Sequence, residues 1–178
     1  MKTRIILPDT DGISEAGAIL RSGGLVAFPT ETVYGLGANA LDATATKHIY
    51  EAKGRPSDNP MIVHVASIDM LNGVASGVTD AQKAIMSKLW PGPITFVLHK
   101  NPAVPDVTTG GLDTVAVRWP SRREAAEIIE AAGVPIAAPS ANISGKPSPT
   151  TFEDVAEDMD GRIDAIVKGE RTAIGIES

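Results

Sequence analysis

The sequence contains no cysteine, only 4% aromatic residues and no long apolar run. The absence of cysteine excludes disulfides, thiolate metal sites and cysteine nucleophiles, and it is typical of a reducing compartment. The first apolar stretch, residues 5–7, ends at Pro8 and is far too short for a signal peptide or a membrane span. These absences predict a soluble, cytoplasmic protein with no membrane contact.

Positive charge is also scarce. The 16 Lys and Arg residues stand against 22 Asp and Glu, which gives a formal net charge of -6 at pH 7. An overall field of this sign does not attract a polyanion, so an anionic ligand has to meet local cations. Apolar residues, by contrast, are abundant. A hydrophobic fraction of 43% over 178 residues predicts one globular domain, residues 1–178, with a substantial core.

Common ligand-binding motifs are missing as well. The sequence has no GxxxxGK[ST], GxGxxG, HExxH or GxSxG pattern. A P-loop, a Rossmann dinucleotide site, a zinc protease and an esterase nucleophile elbow therefore lose support. If the chain uses ATP, it binds the nucleotide in a less common kind of pocket.

What the sequence does contain is an interleaved series of strand and helix patterns. Strands are predicted at residues 5–7, 25–28, 61–65, 94–98, 115–118, 136–138 and 165–167. Helices are predicted at residues 13–21, 43–53, 79–89, 121–133 and 151–158, with a cap at Asp42 and capping boxes formed by Thr79 with Gln82 and by Ser121 with Glu124. This order predicts an α/β fold, although the long proline-rich connections do not match a regular doubly wound repeat.

Two polar segments directly follow predicted strands. Residues 29–37 read PTETVYGLG, and residues 139–149 read PSANISGKPSP. Loops that leave a buried strand often carry function, and the hydroxyls and amides here can hold ligand oxygens. The alternative is a pair of turns whose side chains satisfy only their own backbone.

Lys53 and Arg55 flank a glycine where a predicted helix ends. Arg suits phosphate oxygens through its planar fork, and Lys suits them as a point charge. The alternative is that Lys53 only complements the helix dipole, which is worth roughly 0.3–1 kcal/mol. That alternative explains Lys53 better than Arg55.

Arg118 and His64 lie in predicted strands. Arg118 closes its strand and can clamp a carboxylate bidentately, whereas the alternative is an exposed ion pair worth at most about 1 kcal/mol. Strand alternation predicts a partly buried His64, and a single strand histidine is more often structural than a ligand contact. The three histidines show no metal-ligand spacing.

Together these segments resemble the YrdC family of threonylcarbamoyl-AMP synthases. The resemblance is carried, in order and over nearly the whole chain, by PTETVYGLG at 29–37, KGRP at 53–56, WPGPIT at 90–95, VAVR at 115–118 and PSANISG at 139–145. It implies a YrdC-like twisted mixed sheet with flanking helices around a large concave pocket. It also implies ATP-dependent synthesis of L-threonylcarbamoyl-AMP from L-threonine and bicarbonate, with release of pyrophosphate.

The resemblance further implies roles for individual residues. The positions that match the family's threonine site are Thr32, His64, Arg118, Ala138 and Ser178. The positions that match its nucleotide site are Arg55, Asn59, Thr114, Ser140 and Ser148, with Lys53 and Arg55 as the catalytic cations. Because the sequence has no obvious acidic cage, magnesium is expected to be held largely by the ATP phosphates and water. The product is expected to pass to protein partners that modify tRNA.

Family members normally continue beyond Ser178, so the resemblance implies a catalytic domain that lacks its C-terminal part. Two other functions compete with synthesis of the adenylate. The first is an RNA-binding module without catalysis, which the net charge of -6 disfavours. The second is a carbamoyl-adenylating relative of the hydrogenase-maturation proteins, whose zinc fingers the lack of cysteine excludes here.

Overall fold

A computed structural model describes residues 2–178. Within this range the strands are β1 (Arg4–Ile6), β2 (Val26–Pro29), β3 (Tyr34–Asn39), β4 (Ile62–His64), β5 (Thr95–His99), β6 (Thr114–Arg118), β7 (Ile136–Ala137) and β8 (Ala165–Val167). The helices are α1 (Thr10–Arg21), α2 (Ala43–Lys53), α3 (Ile68–Val74), α4 (Asp80–Leu89), α5 (Arg123–Ala132) and α6 (Phe152–Met159). None of the helices in the described range has the length and apolar character needed to cross a membrane.

The strands form one mixed sheet in the order β1-β8-β2-β3-β7-β4-β6-β5. Strand β8 lies between β1 and β2 and is parallel to both, and β4 is parallel to β6. The remaining neighbours are antiparallel. The expected α/β fold with a mixed sheet is thus confirmed, and β8 is inserted between the first two strands of the chain.

Helices cover both faces of this sheet and bury two apolar cores. Leu20 of α1 and Ile128 of α5 pack with Phe28 on one face. Ile49 of α2 and Leu71 of α3 belong to the core on the other face. Successive side chains of a strand point to opposite faces, so a buried strand such as β2 feeds both cores.

Three of the predicted helix boundaries are confirmed by local contacts. The Asp42 carboxylate accepts hydrogen bonds from the first turn of α2, and Gly54 ends that helix with a left-handed φ of 60°. Thr79 and Gln82 form the reciprocal capping box of α4. These signals were readable in the sequence because a cap involves only residues that are near neighbours in the chain.

The predicted capping box of Ser121 with Glu124 is wrong. Helix α5 begins after Arg122, and no side chain caps it. The reason is competition for the carboxylate, because Glu124 accepts hydrogen bonds from the Arg122 guanidinium at 3.0 and 3.2 Å. The Glu124 carboxylate binds the Arg122 guanidinium and is therefore not available for a capping box.

Two elements were not predicted from the sequence, strand β3 and helix α3. Strand β3 begins inside the segment 29–37, which the sequence presents as a glycine-bearing loop. Gly37 is required because neighbours approach closely: a Cβ there would lie 2.7 Å from Cε1 of Phe28 and 2.9 Å from Cγ2 of Ile136. Glycine is a poor strand former by itself, so only the crowded centre of the sheet explains this strand.

Candidate active site

A cleft of about 190 Å³ opens beside the turn that follows β2. Its walls come from that turn, from the residues around β4, from the end of β6 and from the segment after β7. Seven of the predicted site residues line it: Thr32, Arg55, His64, Arg118, Ala138, Ser140 and Ser178. The topology therefore gathers residues from six separate parts of the sequence.

The turn after β2 presents Thr32 to the cleft. The Thr30 hydroxyl donates to the carbonyl of Val33 at 2.7 Å and lies 3.0 Å from the Thr32 hydroxyl. Thr30 therefore satisfies its own backbone, as the structural alternative for this segment predicts. Thr32 does not, because its hydroxyl accepts a hydrogen bond from Arg118 at 3.0 Å.

Arg118 forms a buried ion pair with Glu31. Its Nη2 lies 2.7 Å from Oε1 of Glu31, and the two side chains are only 4% and 10% exposed. The alternative of an exposed surface pair for Arg118 is therefore wrong. Burial raises the pKa of the Glu31 carboxyl, but the hydrogen bond and charge of Arg118 outweigh burial and hold that pKa below its ordinary value. Glu31 is accordingly ionised at neutral pH.

His64 is fully buried, although the strand pattern predicted partial burial. His64 pairs with Arg118 of β6 on one side and with Ile136 of β7 on the other, which places it inside the sheet, and its side chain lines the cleft. Burial, followed by the positive charge of Arg118, lowers the pKa of His64 to about 3. The imidazole is therefore neutral at physiological pH and adds no charge to the cleft wall.

Lys53 lies behind the cleft and not on its wall. The residue is 2% exposed, and its ammonium donates to the carbonyls of Ser140 and Asn142. The main chain makes a further link, because the Ser144 amide donates to the Lys53 carbonyl at 2.9 Å. Burial, then the nearby charge of Arg55, lowers the pKa of Lys53 to about 8. These contacts hold the loop after β7 in place.

Arg55 reaches the cleft from the residues after α2. Its Nη2 donates to the carbonyl of Pro60 at 3.0 Å, and its Nε is buried without a partner. Asn59 does not line the cleft, but its carbonyl accepts a hydrogen bond from the Tyr50 hydroxyl at 3.0 Å and so fixes the loop that Arg55 contacts.

Thr114 and Ser148 also lie outside the cleft. Thr114 begins β6 and pairs with His99, four residues before Arg118 and so roughly 13 Å away along the strand. Ser148 lies at the rim and donates to the carboxylate of Glu177, which lines the cleft. The structure thus brings seven predicted residues together and leaves Lys53, Asn59, Thr114 and Ser148 around them.

Two acidic residues of the site were not among the predicted ones. Glu31 pairs with Arg118, and Glu177 lines the cleft. The C-terminal segment reaches the cleft because the amides of Ile174 and Gly175 donate to the carbonyls of Glu31 and Thr32, both at 2.9 Å. The position of Glu31 between two threonines in the same motif was a signal that the sequence did offer.

The fold and the cation-bearing cleft define an α/β protein that can receive a small anionic or zwitterionic ligand. The Sua5/YciO/YrdC family model, described as "Telomere recombination", matches residues 18–178. The chain therefore belongs to the Sua5/YciO/YrdC family.

Two curated relatives are named threonylcarbamoyl-AMP synthase. The protein of Pyrococcus abyssi is 57% identical over 92% of this chain and 48% of its own length. The protein of Bacillus subtilis is 54% identical over 93% of this chain and 48% of its own length. The chain thus spans about half the length of the curated relatives it matches.

Solved structures agree with the fold. The crystal structure of P. abyssi Sua5 complexed with L-threonine is 52% identical and has a TM-score of 0.95, covering 100% of this chain and 53% of its own. Full-length HypF in its phosphate- and nucleotide-bound form has a TM-score of 0.79 at 21% identity, covering 92% of this chain and 26% of its own. The latter likeness concerns the fold alone.

Proposed function

We propose that the chain is the catalytic domain of a nucleotidyltransferase that makes L-threonylcarbamoyl-AMP from L-threonine, bicarbonate and ATP, with release of pyrophosphate. The product would serve threonylcarbamoyladenosine modification of tRNA in the cytoplasm, through protein partners. The observation that carries the proposal is the buried Arg118 on the wall of a cleft sized for an amino acid. Membership of the family and the names of the relatives support it.

Threonine binds in this proposal with its carboxylate at Arg118. Nη2 of Arg118 contacts Glu31 at 2.7 Å, whereas its Nε is buried without a hydrogen-bond partner. Nε is therefore the donor that remains for the carboxylate of threonine. Thr32 fixes the guanidinium from its other side. The neutral His64, with Ala138 and Ser178, completes the wall around the ligand.

ATP binds next to threonine, towards Arg55 and Ser140. The cleft of about 190 Å³ is below the roughly 300–1,000 Å³ of pockets for larger ligands, so the nucleotide extends past the rim near Ser148. Lys53 acts by holding the loop that carries Ser140. In this arrangement Asn59 and Thr114 support the site from outside the cleft wall.

Magnesium enters as part of the MgATP substrate. On the cleft wall of the described chain the acidic side chain is Glu177, and it already accepts a hydrogen bond from Ser148. No group of three His, Asp or Glu side chains converges anywhere in residues 2–178. The side chains present therefore do not form a magnesium site of their own, and the phosphates and water hold the ion.

The chemistry has two steps. The deprotonated amine of threonine attacks carbon dioxide with loss of a proton, or bicarbonate with loss of water, and forms a carbamate. A carbamate oxygen then attacks the α-phosphorus of ATP as the bond to pyrophosphate breaks. The carbamate is already an anion, so this attack needs no general base. Cations such as Arg55 offset the charge that develops on the departing phosphates.

Calorimetry and a pyrophosphate assay test this function. We expect threonine to bind more tightly in the presence of ATP, and pyrophosphate to appear only when threonine and bicarbonate are both present. A carbamoyl-adenylating enzyme would respond to carbamoyl phosphate instead. Absence of both threonine binding and threonine-dependent pyrophosphate in the intact chain would contradict the proposal.

Arg118→Lys tests the carboxylate contact. It keeps a positive charge beside Glu31 but removes the planar fork, so threonine affinity should fall roughly 100-fold, since disrupting a desolvated charge contact costs ~2–5 kcal/mol. ATP affinity should change much less. Arg123→Lys, at an exposed position on α5, is the matched control and should leave both affinities unchanged. Equal losses of threonine and ATP binding would show that Arg118 does not contact the carboxylate.

A further inference from the structure

Glu31 lies next to the cleft but has no place in the chemistry above. It is not on the cleft wall, and both of its carboxylate oxygens are buried. Its close contact is the ionic one to Nη2 of Arg118, at 2.7 Å. An ionised carboxylate this deeply buried is costly, so its effect on the ligand site has to be considered through its charge.

The side-chain charges on the cleft wall and at Glu31 behind it cancel. Arg118 and Arg55 are positive, whereas Glu31, behind Arg118, and Glu177, on the wall, are negative. His64 is neutral. The hydroxyl of Thr32 adds a dipole but no charge. A pocket with directional donors and no net charge suits a zwitterion, whose own charges also cancel. The same pocket without Glu31 would hold an uncompensated buried cation, which suits a phosphate.

We infer that Glu31 is a specificity-determining residue, which neutralises Arg118 so that the pocket accepts a zwitterionic amino acid and rejects phosphate-type dianions. This inference rests on the proposed function. The size of the effect follows from Coulomb's law: one unit charge about 5 Å away, at an effective dielectric constant near 20, changes relative affinity on the order of 100-fold. Glu31 acts through Arg118 and is therefore a positioning and charge-setting residue.

Glu31→Gln tests the inference because it keeps the shape and removes the charge. We expect inorganic phosphate and carbamoyl phosphate to compete with threonine at least tenfold more strongly in the variant than in the wild type. A residue that only holds Arg118 in place would, when changed, weaken threonine binding without any gain for phosphate. That outcome overturns the inference, and so does an unchanged ratio of affinities.

A second measurement is needed because removing one partner of a buried ion pair destabilises the fold and could prevent a binding assay. Ligand binding stabilises the folded state, so phosphate should raise the melting temperature of Glu31→Gln above its value in chloride at equal ionic strength. Wild type and Glu130→Gln, which removes one exposed carboxylate from α5, should show no such difference. A variant that stays unfolded in phosphate also overturns the inference.

The two proposals fail in different ways. If wild type binds no threonine, the proposed function fails and the inference with it. If wild type binds threonine and makes pyrophosphate, but phosphate affects Glu31→Gln and wild type alike, the function stands and the inference alone fails.

A double variant, Glu31→Gln with Arg118→Met, should lose the phosphate response, because the cation that attracts the dianion is gone.

Discussion

At the scale of single residues, the buried ammonium of Lys53 is the contact that links the end of α2 to the cleft. It donates to the carbonyls of Ser140 and Asn142. Hydrogen bonds favour the charged form of the amine, whereas burial and the charge of Arg55 oppose it and lower its pKa to about 8. At neutral pH, folding therefore includes the cost of desolvating the Lys53 ammonium, whose hydrogen bonds fix the loop after β7.

The lowered pKa of Lys53 predicts a rise of stability with pH. Between pH 8 and 10.5 the unfolded chain keeps the proton that the folded chain has lost, so the free energy of unfolding rises across this window. Tyr34, whose pKa burial raises from 10.0 to about 12, and Tyr50, whose pKa burial also raises, have the opposite effect, which grows as the pH approaches and passes 10.0. Urea titrations at pH 8 and just below pH 10.0 should therefore show the rise.

Lys53→Met is the control for this prediction. It should abolish the rise between the two pH values, and at neutral pH it should destabilise the fold by ~1–3 kcal/mol for each carbonyl that loses its donor. If the rise persists in Lys53→Met, another group causes it. If neutral-pH stability is unaffected, the ammonium does not hold the loop.

At the scale of elements, the sequence was sufficient for helix ends that depend on one local contact, but not for the start of α5, where Arg122 competes for the Glu124 carboxylate. The start of α2 at Asp42 and its end at Gly54 were predictable, since each depends on residues within one turn. Strand β3 was not predictable, because the need for glycine at position 37 arises from the close approach of Phe28 and Ile136 in neighbouring strands. The same limit applies to the site: Thr32 and Arg118 were expected to share a ligand, yet their direct hydrogen bond joins residues 86 positions apart.

Gly54→Ala and Gly73→Ala form a matched pair that tests helix ends. Neither position has a neighbour within 4 Å of an added Cβ, so packing plays no part. Gly54 has a φ of 60°, where a side chain is strained, and we expect a loss of ~1 kcal/mol. Gly73, in α3, lacks a positive φ and should gain ~0.5–1 kcal/mol in helix propensity. Urea unfolding that gives both variants the same sign would refute this account.

At the scale of the whole molecule, the sheet joins the two apolar cores and also carries the cleft. Strand β2 packs into both cores and ends at the turn that presents Thr32. Strand β6 contributes Val117 to one core and Arg118 to the cleft. A disturbance on either face should therefore reach the site through the same strands, and the molecule should unfold as one unit.

Leu71→Ala and Ile128→Ala test whether the molecule unfolds as one unit, since the two side chains are fully buried in different cores. Each should cost ~2–5 kcal/mol, whereas Ile85→Ala, at an exposed position on α4, should stay within ~0.5 kcal/mol. Both tryptophans, Trp90 and Trp119, pack with the core that contains Leu71, so their fluorescence reports on that face. Ile128→Ala should nevertheless shift the fluorescence midpoint as far as the circular-dichroism midpoint. If only the circular-dichroism midpoint moves, the two cores unfold separately.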